Sequence, residues 1–139
     1  MLIVDDQLFL RALLRDRSWT NDGSLATTYG FQYRLAMASL KNKPVGVHSK
    51  KILEFPDADR RILQQRILQP EPEVRALDPR LSIGLASRLS VTLGRLNLFQ
   101  AEIVGAALFY DAAIVVAVMP PPVEEACSKL GIELIHITS

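Results

Sequence analysis

One cysteine, two histidines and a 6% share of aromatic residues are all that 139 residues hold of the most reactive side chains. Cys127 alone excludes an intrachain disulfide and a multi-cysteine zinc knuckle, which points to a reducing, cytoplasmic setting. Charge of one sign is also missing. The 16 basic and 15 acidic side chains leave a formal +1, which argues against a strongly basic nucleic-acid binder. Neither GxGxxG nor GxxxxGK[ST] occurs, so nucleotide binding of those types has no support. His48 and His136 stand apart from any Ser, Cys or carboxylate pattern that would make a triad. The longest uncharged run near the C-terminus, Ala112 to Val123, is too short to cross a bilayer and contains three prolines. At the start, Asp5 and Asp6 follow the first apolar residues too closely for a signal peptide. The expectation is a single cytoplasmic domain over 1–139, with no membrane partner.

Apolar residues make up 49% of the chain and charged ones 22%, which suits a folded domain with a real core. Leu2-Ile3-Val4 reads as a buried strand, followed by a helix with Leu8, Phe9, Ala12 and Leu13 on one face. Arg15 to Ser24 is a loop, and Leu25-Ala26-Thr27 a short strand. Tyr29, Tyr33, Ala36 and Leu40 recur at helical spacing over Tyr29 to Lys43, with Pro44 as the stop. Val45 to Ser49 is a connector. Asp57 is the expected N-cap of a helix through Leu68. Val74 to Leu77 follows as a strand, and Asp78-Pro79 opens another helix. The helix Leu98 to Tyr110 carries Phe99, Ile103, Ala107 and Tyr110 on one stripe, with Gly105 and Ala106 allowing close approach to a sheet. Ala113 to Val118 is a continuous apolar strand; Val123 to Leu130 is a helix ended by Gly131; Ile132 to Ile137 is the last strand. Helices alternating with fully apolar strands predict an α/β fold with a mainly parallel sheet covered on both faces.

The functional crevice of such a sheet lies at the carboxyl ends of its strands, where Asp5 and Asp6 fall. Either carboxylate could hold a hard cation such as magnesium, or serve as the N-cap of the next helix. Asn97 and Gln100 fit a capping box, and if Gln100 faces the crevice then Glu102 faces away, about 200° around the helix. Asp111 belongs to the turn after that helix, and Cys127, among Val123, Ala126 and Leu130, reads as a core thiol. From Arg34 to Arg66 eight basic residues face three acidic ones, an excess of five against minus four for the rest. Arg34, Lys41, Lys43, Lys50, Lys51, Arg60 and Arg61 are therefore candidates for binding RNA or an acidic partner, although a solvated face explains them as well. Tyr29, Phe31 and Tyr33 precede that stretch at a spacing that suits core packing as much as base stacking.

Several segments together resemble PIN-domain proteins, in particular VapC-type toxins. MLIVDDQLFLRALL is similar to the family's opening strand, metal-binding aspartate and helix, with Asp5 on the aspartate. Val74-Arg75-Ala76-Leu77-Asp78-Pro79, then Gly94 to Leu108 running into Ala113-Ile114-Val115-Val116, resemble its later strand, helix and fourth strand. Val123 to Ile137 resembles its closing helix and strand. The resemblance implies a PIN-like, Rossmann-like three-layer sandwich and, in the family, three or four acidic residues that hold magnesium or manganese and cleave RNA. Here the family's later aspartate falls on Gln100, its glutamate around Gln32 to Arg34, and its last acidic position near Val116 to Val118. One or two carboxylates hold Mg²⁺ weakly, because the ion gives up water reluctantly.

The expectation is a PIN-like domain without metal-dependent ribonuclease activity or a cofactor, acting as a protein- or RNA-binding regulatory module. A homodimer and a small antitoxin-like protein regulator are the partners that the resemblance suggests. The alternative is an active Mg- or Mn-dependent endoribonuclease with a centre built from Asp5, Asp6 and a further carboxylate such as Glu54 or Asp111. A flavodoxin-like sheet is the competing fold, which strand order decides.

Overall fold

The computed structural model describes residues 1–21, 23–41, 52, 54–70 and 74–138. Five strands, β1 (Leu2–Val4), β2 (Leu25–Thr28), β3 (Val74–Leu77), β4 (Ala113–Val116) and β5 (Leu134–His136), form one sheet in the order β3-β2-β1-β4-β5. Every pairing is parallel, with Leu2 opposite both Leu25 and Ala113. Among the described residues six helices cover it: α1 (Asp6–Leu13), α2 (Tyr29–Leu40), α3 (Asp57–Leu68), α4 (Ile83–Leu93), α5 (Leu98–Tyr110) and α6 (Pro121–Leu130). The protein is an α/β three-layer sandwich of Rossmann type. Its strand order runs outward in both directions from β1 and so differs from the flavodoxin-like order.

Alternation along each strand makes two cores. Ile3, Ala26, Ile114 and Val116 pack with α4, α5 and α6, while Val4, Leu25, Val74 and Val115 pack with α1, α2 and α3. Both sheet faces are thus buried, which is why the strands are apolar throughout rather than on alternate residues. Trp19 packs at the edge of the second core, and its indole N–H donates to the Asp16 carbonyl at 2.9 Å. Gly94 and Gly131 end α4 and α6 in the left-handed conformation, which costs glycine little.

Several sequence expectations are corrected. Of Tyr29, Phe31 and Tyr33, whose spacing suited core packing, Phe31 alone is buried. Tyr29, Tyr33 and Leu40 are exposed, and Phe31, Leu35 and Ala38 point inward. This helix carries apolar residues on opposite sides, so spacing alone could not choose between them. The helix also ends at Leu40, ahead of the expected stop. Asp57 is the first residue of α3, with Pro56 at the cap position and no side-chain cap bond. Asp78-Pro79 opens only a 3₁₀ turn (Pro79–Leu81), capped by the Asp78 carboxylate, and α4 begins separately at Ile83. Gly105 meets a helix and not the sheet: a Cβ there would stand 2.9 Å from the Ala86 backbone nitrogen in α4. The connector Val45 to Ser49, with His48, lies outside the described residues.

Candidate functional site

In a parallel sheet the switch point is where successive crossovers leave in opposite directions, here between β1 and β4. Asp5 sits there. One carboxylate oxygen accepts the Leu8 N–H at 2.9 Å and caps α1; the other accepts the Ala117 N–H at 2.8 Å and lies 3.4 Å from the Val118 nitrogen. The carboxylate therefore clamps the start of α1 to the end of β4. That bond also explains why β4 stops at Val116 and not at Val118: the next two amides turn to Asp5 instead of continuing the strand. Burial raises the Asp5 carboxyl above its ordinary value, and the neighbouring Asp6 adds to the rise, while the Leu8 and Ala117 amides pull the other way.

Beside the clamp opens a cleft of about 280 Å³. Asp5, Asp6, Arg34, Phe99, Gln100 and Val118 are among its walls, with Ile103, Val116, Pro120 and Val123 adding apolar surface. Asp6 is buried; one of its oxygens accepts the Gln7 N–H at 3.0 Å and the other lies 3.5 Å from Nη1 of Arg34. The Arg34 guanidinium lies 4.1 Å from the centre of the Phe99 ring and 5.9 Å from that of Phe31. Those two rings stack at 6.0 Å between centroids and 14° between planes. A cation on an aromatic face is attracted by the ring quadrupole, which favours this position of the arginine.

The capping box forms as the sequence predicts. Asn97 accepts the Gln100 N–H at 2.9 Å, and the Gln100 side-chain oxygen accepts the Asn97 N–H at 3.0 Å. That oxygen, the best ligand atom of Gln100, is spent on the cap. Glu102 faces away from the cleft and accepts the Gly30 N–H at 2.8 Å. It caps α2 from α5, while the Oγ1 of Thr28, at the cap position of α2, is buried with no hydrogen-bond partner. A Cβ on Gly30 would stand 2.7 Å from Oε1 of Glu102 and 2.8 Å from Cδ1 of Phe99, so only glycine permits this approach.

The other candidates scatter. Asp111 ends α5 at the far end of the sheet, with φ 51°. Glu54 is exposed and borders a second cavity of about 330 Å³ that it shares with Asp6 and Phe55. Gln32 donates to the Ile67 carbonyl at 2.7 Å and serves the contact of α2 with α3. Of the basic candidates, Arg34 enters the cleft, Arg60 pairs with Asp57, and Lys41 and Arg61 are exposed. Arg66 donates to the Leu13 carbonyl at 3.0 Å. Lys43, Lys50 and Lys51 lie outside the described residues. Cys127 is buried and its thiol is pushed up to about 11, as a core position requires. His136 is exposed on the edge strand, its Nε2 3.1 Å from the Ala117 carbonyl oxygen.

A divalent cation is a poor fit to this donor set. Asp5 is committed to backbone amides, Asp6 faces a guanidinium, and Gln100 is committed to its cap. Among the described residues no three His, Cys, Asp or Glu side chains come together as a metal group. Sequence reasoning reached Asp5 and Gln100, and placed Arg34 where the family's glutamate falls; it missed the Phe31–Phe99 platform, whose partners lie on different helices. No helix of the described residues is long and apolar enough to cross a membrane. Neither a protein-family model nor a curated protein matches the chain.

Proposed function

We propose that this chain is a PIN-like domain of the VapC-toxin-like kind that has lost metal-dependent ribonuclease activity and works as a regulatory binding module. The observation that carries the reading is Arg34. It places a permanent cation at the mouth of the sheet, in the cleft where a nuclease of that kind would gather carboxylates around metal. Two like charges a few ångströms apart in a half-buried cleft repel by several kcal/mol, roughly 4 kcal/mol at 4 Å and intermediate dielectric.

The partner is a protein rather than RNA. Of the described basic residues the sequence offered for RNA, Arg34 lines a largely apolar cleft and Arg60 is paired with Asp57, which leaves Lys41 and Arg61 exposed. Tyr29, Tyr33 and Leu40 meanwhile stand exposed on α2, and Ile62 and Leu68 stand exposed on α3, which packs against α2. Exposed apolar side chains on neighbouring helices are better matched to a protein surface than to phosphates. A second copy of the chain and a small antitoxin-like regulator are the two occupants that the family resemblance suggests.

The test is a cleavage assay on a panel of structured and single-stranded RNAs with 5–10 mM Mn²⁺ or Mg²⁺, about the range in which weak carboxylate sites fill. No cleavage above the metal-only blank is expected. Cleavage by the wild-type chain that disappears in a folded Asp5→Ala variant would establish the altered nuclease centre instead. Light scattering after size exclusion, with and without cross-linking, then reads the oligomeric state.

A further inference from the structure

We propose that the cleft beside Arg34 binds a monocarboxylate carried on an apolar body, with the Arg34 guanidinium as the recognising group. This rests on the reading above that the cleft binds and does not cleave.

Among the described residues Arg34 makes one hydrogen bond, the long 3.5 Å contact to Asp6, so most of its N–H donors remain unspent. Its side chain is nevertheless not loose. The Phe99 ring lies 4.1 Å beneath the guanidinium, and Phe31, near-parallel to Phe99, flanks it with its ring centre 5.9 Å from the guanidinium. A guanidinium held over an aromatic ring loses less freedom on binding, and its planar fork matches the two oxygens of a carboxylate. The remaining walls are those of a hydrophobic slot: Ile103, Val116, Val118, Pro120 and Val123. At about 280 Å³ the space is near the lower bound of roughly 300 Å³ for small-ligand pockets.

Charge limits the ligand to one negative unit. Asp6 is opposed by Arg34, and the Asp5 carboxylate is met by backbone N–H groups. The N-terminus of α5 opens on the same cleft through Asn97 and Phe99 and contributes roughly half a positive charge. These groups sum to about half a negative charge before any ligand enters, so a single carboxylate held on the Arg34 fork meets far less repulsion than a dianion would. A phosphate dianion would add a second negative charge near two aspartates, and among the described residues that line the cleft Arg34 is the one arginine.

The same chemistry can come from a free small acid or from the C-terminal carboxylate of a peptide ending in an apolar residue. The full chain is titrated calorimetrically with 3-phenylpropionate, with a short peptide ending in a free leucine carboxylate, with that peptide's C-terminal amide, and with inorganic phosphate. Saturable binding of at least one acid is expected, weakened about tenfold or more in Arg34→Gln, the loss of a charge-assisted bidentate pair. Arg34→Lys, which keeps the charge without the fork, is expected to fall between the two. Binding of the peptide acid but not its amide identifies a chain terminus as the source; binding of 3-phenylpropionate alone identifies a small acid.

Lack of saturation by both acids up to about 10 mM, binding by folded Arg34→Gln as tight as by the wild type, or phosphate bound as tightly as the acids would overturn the proposal. Metal-dependent RNA cleavage would sink the functional reading itself, whereas a chain that neither cleaves RNA nor binds these acids refutes the ligand assignment alone.

Discussion

Asp5 shows how one side chain can serve two distant pieces of backbone. Its role as cap of α1 is legible in the sequence, since a carboxylate between an apolar run and an amphipathic helix has orphan amides to satisfy. Its grip on Ala117 is not legible, because the partner lies 112 residues away and contributes only a backbone N–H. Asp5→Ala removes both acceptors. Loss of the cap costs about 1 kcal/mol and the orphaned Ala117 amide about 1–3 kcal/mol more. The variant is expected to melt well below the wild type while keeping its circular dichroism spectrum. The pH dependence has a definite sign. Because the folded carboxyl titrates above its ordinary 3.8, the native state holds that proton more tightly than the unfolded chain does. This contribution to stability is complete below the unfolded value and fades as pH rises through the raised native one. The deficit of Asp5→Ala, followed by urea titration between pH 3.5 and 7, should therefore narrow toward neutrality.

At the scale of elements, long periodic segments were readable and their facing was less so. All five strands, β4 and β5 shorter than expected, and the helices α1, α3, α5 and α6 fall close to where apolar runs, turn residues and caps place them. The face of α2 was not readable, because Tyr29–Tyr33–Leu40 and Phe31–Leu35–Ala38 are both apolar at helical spacing and only the tertiary fold decides between them. Gly105 shows a related limit. A small residue signals close approach, but the sequence does not say to what. With α4 as the neighbour, Gly105→Ala drives a methyl into the Ala86 backbone, where no flexible side-chain end can yield. The overpacking cost of about 1–3 kcal/mol exceeds or cancels the gain of up to ~1 kcal/mol in helix propensity that this change brings elsewhere. Denaturant unfolding should show no stabilisation and a loss of up to about 2 kcal/mol. Gly84, with open space around it on α4, provides the control: alanine there should stabilise.

For the whole molecule, the α/β class and the parallel sheet follow from the sequence because strands buried on both faces must be apolar throughout. Strand order does not follow, since it is a property of the crossovers. The site was half legible for the same reason: Asp5 and Gln100 lie next to recognisable starts of helices, whereas the Phe31–Arg34–Phe99 arrangement exists only once α2 and α5 are side by side. A global measurement follows from its charge. If Arg34 occupies the cleft as a fixed cation, millimolar Mg²⁺ or Mn²⁺ finds no built site and gains no linkage energy, so the melting temperature should stay within about 1 °C of the metal-free value. A rise of several degrees that saturates with metal would contradict it.

The central position of β1 also bears on how the chain acquires its shape. Leu2 is bordered by Leu25 on one side and by Ala113 on the other, so the middle of the sheet stays half open until the stretch near residue 113 has been made. During synthesis on the ribosome, the hydrophobic flank of β1 must wait for a neighbour that arrives last but one among the strands. Sheets closed by such late arrivals fold slowly and are open to chaperone capture in the interval. A nascent chain stalled before β4 should accordingly be cut by protease throughout, and gain resistance in one step once that strand has left the exit tunnel.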